Sequence, residues 1–383
     1  MSLAPALTTV EPEHTARRIV GLDGLRGLSA LYVLVFHCWL LAFPGFPGNS
    51  GPPWLGWLMY GRLAVVFFLT VSGFSLAVSA AANGWQLGGA ARFVRRRAWR
   101  ILPPYWAALA GSLAIAWTII PQSRSGPPTG ASAVVYGLLL QDLVSAPTPN
   151  GAFWSIGVET ALYLVFPLLL WIRRRAGAVA LLACATLPVV AFGLAAPGGT
   201  PAEGDNGLTP NLLPVFAIGL AGAGIIAASD RIRRLPWHWL AAAAAAPVGY
   251  LILHKGSVWT AQHYFWMDLA VAPAMAMLLA AVATGRPAAL VRLLTARPVV
   301  DLGGFSYSLY LIHLPIVVVI GRKVAAPYFA PGLPVLWVTV GLAVPICLTA
   351  ARLFASVFEI PFQRHRSWAS LVAAVRRVAW CVG

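Results

Sequence analysis

Charge is what this chain has least of. Among 383 residues, 11 are Asp or Glu and 27 are Lys or Arg, so charged side chains make up only 10% of the total. A soluble domain carries about 25%, and the shortfall excludes an ordinary water-soluble fold. Cysteine is sparse too. Cys38, Cys184, Cys347 and Cys381 fall in apolar segments or the tail, without paired or metal-ligand spacing, and read as structural. There is no metal-ligand cluster, phosphate loop or internal repeat. Met1–Arg18 is polar, so no cleavable signal peptide stands out. No loop is long enough to form a soluble domain.

In place of charge there are apolar runs. The chain is 59% hydrophobic, with a mean hydropathy of +0.77, which marks an integral membrane protein. Its net charge of +16 is nearly all arginine. A nucleic-acid binder would gather that charge on a soluble domain. Here it comes in short bursts between apolar segments, which is a topology signal.

A bilayer span needs about 20 apolar residues. Ten candidates are present, near 25–43, 57–80, 101–120, 152–172, 177–195, 210–228, 237–253, 263–284, 303–321 and 333–357. Arginines precede the first (Arg17, Arg18) and follow the second (Arg92, Arg95, Arg96, Arg97, Arg100) and fourth (Arg173 to Arg175). They also follow the sixth (Arg231, Arg233, Arg234), eighth (Arg286, Arg292, Arg297) and tenth (Arg364, Arg366, Arg376, Arg377). The alternate loops hold mainly Arg124, Lys255, Arg322 and Lys323. The expected architecture is therefore all-α and polytopic: about ten transmembrane helices in the cell membrane, with both termini cytoplasmic. Residues 1–18 form an N-terminal tail, 19–361 the membrane domain and 362–383 a C-terminal tail, with 1–15 disordered. The alanine run at 240–247 suits close packing between helices.

The first span keeps Arg26 and His37. Eleven residues at about 100° each return to within roughly 20° of the same face, some 16 Å further along the helix. Asp23 sits near the helix start, suited to the dipole and to Arg26. Two readings stand: a snorkelling arginine with an interfacial histidine, or one wall of a polar cavity touched at two depths.

This stretch resembles the opening of acyltransferase family 3, polytopic enzymes that move acyl groups onto carbohydrate or other hydroxyls. Arg26, ten intervening residues and His37 match the first-helix motif. In order along the chain, "FFLTVSGFSL" (67–76), "RFVRRRAWRILPPY" (92–105), "FWSIGVETALYLVFPLLL" (153–170), "GGFSYSLYLIHLPI" (303–316) and "FEIP" (358–361) resemble further family motifs. The chain departs at Glu159, which is followed by Thr160 where the family often has a second acid. Some members append a soluble esterase-like domain; this chain ends after the tenth span, so it would act alone or with a separate partner.

The resemblance implies an enzyme with acyl-coenzyme A as co-substrate, no further cofactor and no metal. Its partners would be that donor, a hydroxyl-bearing glycan or small-molecule acceptor such as a macrolide, and the bilayer, with no nucleic acid. His37 would be the base, with Arg26 and Glu159 completing the catalytic set; Glu159 could equally pair with an arginine for helix association. Arg92, Arg96, Arg97 and Arg100, with Ser72, would hold the donor phosphates, since arginine forks match phosphate oxygens; topology alone also explains such a cluster. Phe67, Phe68, Gly73 and Phe74 either wall the acyl path or pack the core. Trp154, Ser155, Ser306, Tyr307, Tyr310, His313 and Glu359 complete the motif residues, with His313 structural and Arg352 pairing with Glu359. His263 and Asp268 stand about 140° apart on a helix and read as interfacial. The competing function is a transporter of a small acid or lipid-linked glycan, with Arg26 and Glu159 lining its path.

Overall fold

The computed structural model describes residues 19–373 except 50, 123–125, 200, 202–208, 366 and 368. The expected tails at 1–18 and beyond 373, Cys381, Arg124, and the arginines at 17, 18, 366, 376 and 377 lie outside the described residues.

The described chain is helical throughout. It runs α1 (Leu22–Ala42), a 3₁₀ turn (Pro53–Tyr60), α2 (Gly61–Ala82), α3 (Ala90–Thr118), α4 (Gly130–Gly137) and α5 (Trp154–Ala195). It continues with α6 (Leu212–Gly222), the short α7 (Asp230–Arg233), α8 (Trp237–Gln262), α9 (Tyr264–Ala283), α10 (Ala288–Leu294) and α11 (Arg297–Gly304). The last helices are α12 (Ser306–Val319), α13 (Leu333–Phe354) and α14 (Ile360–Arg364), with wide π-turns after α12 and α13. Six helices are long and apolar enough to cross a membrane: Leu22–Ala42, Pro53–Ala82, Trp154–Ala195, Tyr264–Ala283, Ser306–Ala325 and Leu333–Arg364. The protein is thus a multi-pass membrane protein. Prolines inside α3, α5, α8, α9, α12 and α13 do not end these helices, as bilayer helices tolerate; α5 and α8 are instead broken at glycines, Gly177 and Gly256.

The 42 residues of α5 do not form one rod. Gly177 adopts φ 89°, ψ −178° and breaks the helix. A straight helix of that length would separate its ends by about 60 Å. Instead both ends come to the start of α9: Trp154 and Tyr264 flank Arg62, while a Cβ on Gly193 would strike Phe265 and Trp266. α5 therefore folds back on itself.

Close helix approach comes from glycine. A Cβ on Gly73 would overlap the Phe216 carbonyl, and one on Gly219 the Thr70 carbonyl, so α2 and α6 meet backbone to backbone. Gly27 and Gly303 do the same for α1 and α11. The alanine run behaves otherwise. Ala242, Ala243, Ala245 and Ala246 are exposed, while Ala241 is buried and Ala244 half-buried, so only one narrow face of the run packs inward. Leucines such as Leu187 and Leu253 are exposed as well, as a lipid-facing surface requires.

Candidate active site

α1 and α12 run parallel. Gly27 touches Gly303 at one end, and ten residues further along His37 meets His313. α2 runs the other way, because Gly61 packs on Phe36 while Ser75 reaches Arg26. α3 and α5 close the remaining sides. Between these five helices lies a cavity of about 430 Å³.

At the Arg26 end three guanidiniums, from Arg26, Arg97 and Arg100, share the cavity with two carboxylates, Asp23 and Glu159. Arg26 Nη1 lies 3.4 Å from Asp23 Oδ1, and its Nη2 donates to Ser75 Oγ at 2.8 Å. Arg97 stacks over the rings of Phe93 and Tyr163, at 5.6 and 5.9 Å. Its Nε is buried and has no hydrogen-bond partner within the protein. Glu159 Oε1 accepts from Ser72 Oγ at 3.0 Å and from the Tyr163 hydroxyl in a short bond. The far end closes on Ser155 and Tyr310, whose oxygens stand 2.6 Å apart, with Tyr310 also donating to the Ala152 carbonyl at 3.1 Å.

The face of α2 that lines this space repeats at 65, 69, 72, 76 and 79, a stripe along one side of the helix. Arg62 continues the stripe one turn beyond the cavity. It grips Asp268 of α9 and is flanked by the rings of Trp154 and Tyr264.

His37 does not line the cavity; it lies past Tyr310 and His313. Its Nδ1 is 2.8 Å from the Val33 carbonyl. A carbonyl only accepts, so Nδ1 carries the proton of neutral His37 and Nε2 keeps the lone pair. Arg26 and His37 thus stand at two depths of one helix without sharing a pocket.

The remaining motif residues divide. Ser72, Arg97, Arg100, Ser155, Glu159, Ser306, Tyr307 and Tyr310 all line the cavity. Tyr307 donates to the Ile101 carbonyl at 3.2 Å and Ser306 to the Gly303 carbonyl at 2.9 Å. Arg92 and Arg96 are exposed and do not line the cavity, although Arg96 and Arg100 share a helix face at i,i+4 spacing. Trp154 packs on Arg62. Of the aromatic stretch, Phe68 lines the cavity, while Phe74 is fully buried against α6 and Gly73 makes the helix crossing. Glu359 is buried and accepts from Ser308 N at 3.2 Å, Ser308 Oγ at 2.5 Å and Gln363 Nε2 at 2.9 Å.

Two expectations are overturned. Arg352 does not pair with Glu359; it is exposed and lies over the Phe305 ring at 5.9 Å, since Glu359 is already satisfied by α12. Asp268 is not interfacial. It is fully buried, bonded to Arg62 and, at 2.9 Å, to Asn211 Nδ2, while His263 stacks on Trp259. Sequence reasoning passed over Arg62, Asn211, Ser75 and Tyr163. The signal was there for Asp268: a lone carboxylate in an apolar helix needs a buried partner.

The fold and site define a class: a helical membrane bundle that holds an arginine-rich polar cavity, with a histidine beyond its far end. Its particular family follows from comparison. A family model described as an acyltransferase domain, that of acyltransferase family 3, matches residues 19–352, and the chain belongs to this family. It is 25% identical over 393 residues to YrhL of Bacillus subtilis (strain 168), a protein named for peptidoglycan O-acetylation. That alignment covers 95% of this chain and 58% of YrhL. It is 31% identical over 161 residues to the acyltransferase MdmB of Streptomyces mycarofaciens, covering 41% of this chain and 40% of MdmB. The chain thus aligns with less than two thirds of either relative's length. No solved structure matches it.

Proposed function

We propose that this protein is a membrane O-acyltransferase that uses acyl-coenzyme A and acylates a hydroxyl of a glycan or a secondary metabolite. The observation that carries the reading is the convergence of three guanidiniums, from Arg26, Arg97 and Arg100, on one cavity. Arginine forks hold phosphate oxygens with charge-assisted bonds. The serines and tyrosines further in would line the path of the thioester.

In the reaction, the acceptor hydroxyl gives its proton to His37 Nε2 as its oxygen attacks the thioester carbonyl carbon. The tetrahedral intermediate collapses, the C–S bond breaks, and the coenzyme A thiolate takes up a proton from the His37 imidazolium. A new ester and a free thiol result, and His37 is again neutral. The thioester must pass the Ser155–Tyr310 pair to come within reach of His37.

The topology we propose has ten spans and cytoplasmic termini. The contacts favour it: α1, α3, α8, α12 and the second arm of α5 run one way, and α2, α6, α9, α13 and the first arm of α5 the other. The arginine-rich mouth then opens to the cytoplasm, where acyl-coenzyme A is found.

The test is His37→Ala in purified protein, assayed with acetyl-coenzyme A by release of free thiol in the presence of a soluble muropeptide. Turnover should fall about a hundredfold or more while donor binding persists. Near-parental turnover would remove His37 as base. Flux of an anion that consumes no thioester would support a transporter in its place.

A further inference from the structure

His37 does not stand alone. Its Nδ1 lies 3.1 Å from Nε2 of His313 on α12, and the two ring centroids are 5.0 Å apart. His313 is buried. Its own Nδ1 faces two backbone carbonyls, Tyr310 O at 2.8 Å and Leu309 O at 3.2 Å. Carbonyls only accept, so His313 Nδ1 must carry a proton, and in the neutral ring Nε2 must then be bare. The Nδ1–H of His37 is thereby shared between the Val33 carbonyl and a second acceptor, His313 Nε2. The tautomers of both rings follow from the backbone of α1 and α12 alone.

We propose that His313 is a positioning residue for His37, the acceptor that orients its ring and receives a stronger hydrogen bond from its Nδ1–H as charge develops there. The proposal rests on the reading of His37 as base. When Nε2 accepts the hydroxyl proton, the imidazolium needs an acceptor at Nδ1. In serine hydrolases a carboxylate fills that place. Among the described residues no carboxylate hydrogen-bonds either ring here, and the neutral imidazole of His313 stands there. Its proton inventory closes: Nε2–H forms on His37 as O–H breaks on the acceptor, and Nδ1–H remains on His37, donated more strongly to His313.

The surroundings fix His313 for that task. Its ring packs on Tyr310, with centroids 5.7 Å apart. The Cys347 thiol of α13 bonds its carbonyl at 3.8 Å. Asn150, in the loop before α5, donates to the Leu311 carbonyl at 2.9 Å. Tyr310 also closes the far end of the cavity, so the element that carries His313 is the one the thioester must pass.

The experiment compares His313→Phe, which keeps ring volume without an acceptor, with His313→Gln, which restores one, and with His37→Ala. Each is purified in detergent and assayed for free thiol from acetyl-coenzyme A, with water or a soluble muropeptide as acceptor. We expect His313→Phe to lose tenfold or more in kcat, with KM for acetyl-coenzyme A within twofold of the parent, and His313→Gln to recover at least a third of the parental kcat. If His37→Ala is inactive but His313→Phe keeps kcat within twofold, the positioning role is overturned and the base survives. If His313→Gln is as impaired as His313→Phe, the role is packing and the proposal fails. If His37→Ala is itself active, the base reading fails first. Should His313→Phe not accumulate, His313→Met is read in the same way.

Discussion

Arg62 and Asp268 are joined across 206 residues of sequence by a doubly hydrogen-bonded ion pair, Nη2 to Oδ2 at 2.8 Å and Nε to Oδ2 at 3.1 Å. Asp268 is fully buried and Arg62 nearly so. The pair ties α2 to α9, and Asn211 adds α6 through its bond to the same oxygen. Breaking such a pair on one side leaves a buried charge alone, which costs about 3–5 kcal/mol; replacing both members by apolar groups costs far less. Asp268→Ala should therefore lower the melting temperature in detergent sharply. The double variant Arg62→Met, Asp268→Leu should recover most of the loss. If the double variant melts as low as the single one, the pair is doing more than joining helices.

Much of the architecture could be read before the structure. All ten apolar segments are helical, and the helix break between the fourth and fifth falls at Gly177, beside Arg173 to Arg175. The site was legible in part. Arg26, Ser72, Arg97, Arg100, Ser155, Glu159 and Tyr310 converge on one cavity. Of the four arginines of α3 that the resemblance gives to the donor, the RxxR pair Arg97 and Arg100 lines the cavity, whereas Arg92 and Arg96, on one i,i+4 stripe with Arg100, are exposed, because packing decides which side chains of α3 are covered. Partners such as Arg62 and Asp268 depend on which helices meet, and a single sequence does not carry that information. The histidine pair was hidden for the same reason.

Asp142 gives a pH dependence outside the membrane spans. It lies in the turn between α4 and α5, near Gly157, and burial pushes its carboxyl up to about 6. In the unfolded chain it would titrate near 3.9. Between roughly pH 4 and 6 the folded state thus binds more protons than the unfolded state, and stability falls as pH rises through that window. Above it the penalty is fully present. Asp142→Asn should raise stability at pH 7.5 by about 1 kcal/mol, allowing for solvent screening, and lose its advantage near pH 4. Thermal melts of both proteins at the two pH values measure it; an advantage that is the same at both would show the charge to be irrelevant.

Topology is tested at four points. Arg175 lies at the fold-back of α5, Arg234 follows α7, and Pro128 precedes α4. Under the positive-inside rule the two arginine-bearing turns are cytoplasmic and the proline-rich turn is outside. Reporter fusions after Arg175 and Arg234 should read cytoplasmic, and one after Pro128 extracytoplasmic; a fusion at Asn206, which lies outside the described residues, should match Pro128. Arg175 reading opposite to Arg234 would mean that α5 does not cross twice, and the ten-span arrangement would fall.

The donor site makes the last distinction. Arg97 and Arg100 face the cavity, while Arg92 and Arg96, on the same helix and with the same charge, face outward. A topological role treats all four alike, because orientation depends on the number of positive charges near the span. A phosphate-binding role does not. Each charge-assisted hydrogen bond to a phosphate contributes about 1.5–3 kcal/mol. Arg97→Gln should weaken acetyl-coenzyme A binding by tenfold or more, and Arg97→Gln with Arg100→Gln by at least a hundredfold. The pair Arg92→Gln, Arg96→Gln should leave affinity within about threefold, the residue of long-range attraction once salt has screened it. Arg97→Lys should fail to restore full binding, because an ammonium keeps the charge but loses the planar fork and its Nε donor. Titrations of the purified proteins with acetyl-coenzyme A, each repeated at high salt, separate the two cases. Equal losses from the inward and outward pairs, abolished together by salt, would mean that the cluster acts only as diffuse charge, and the cavity would need another ligand.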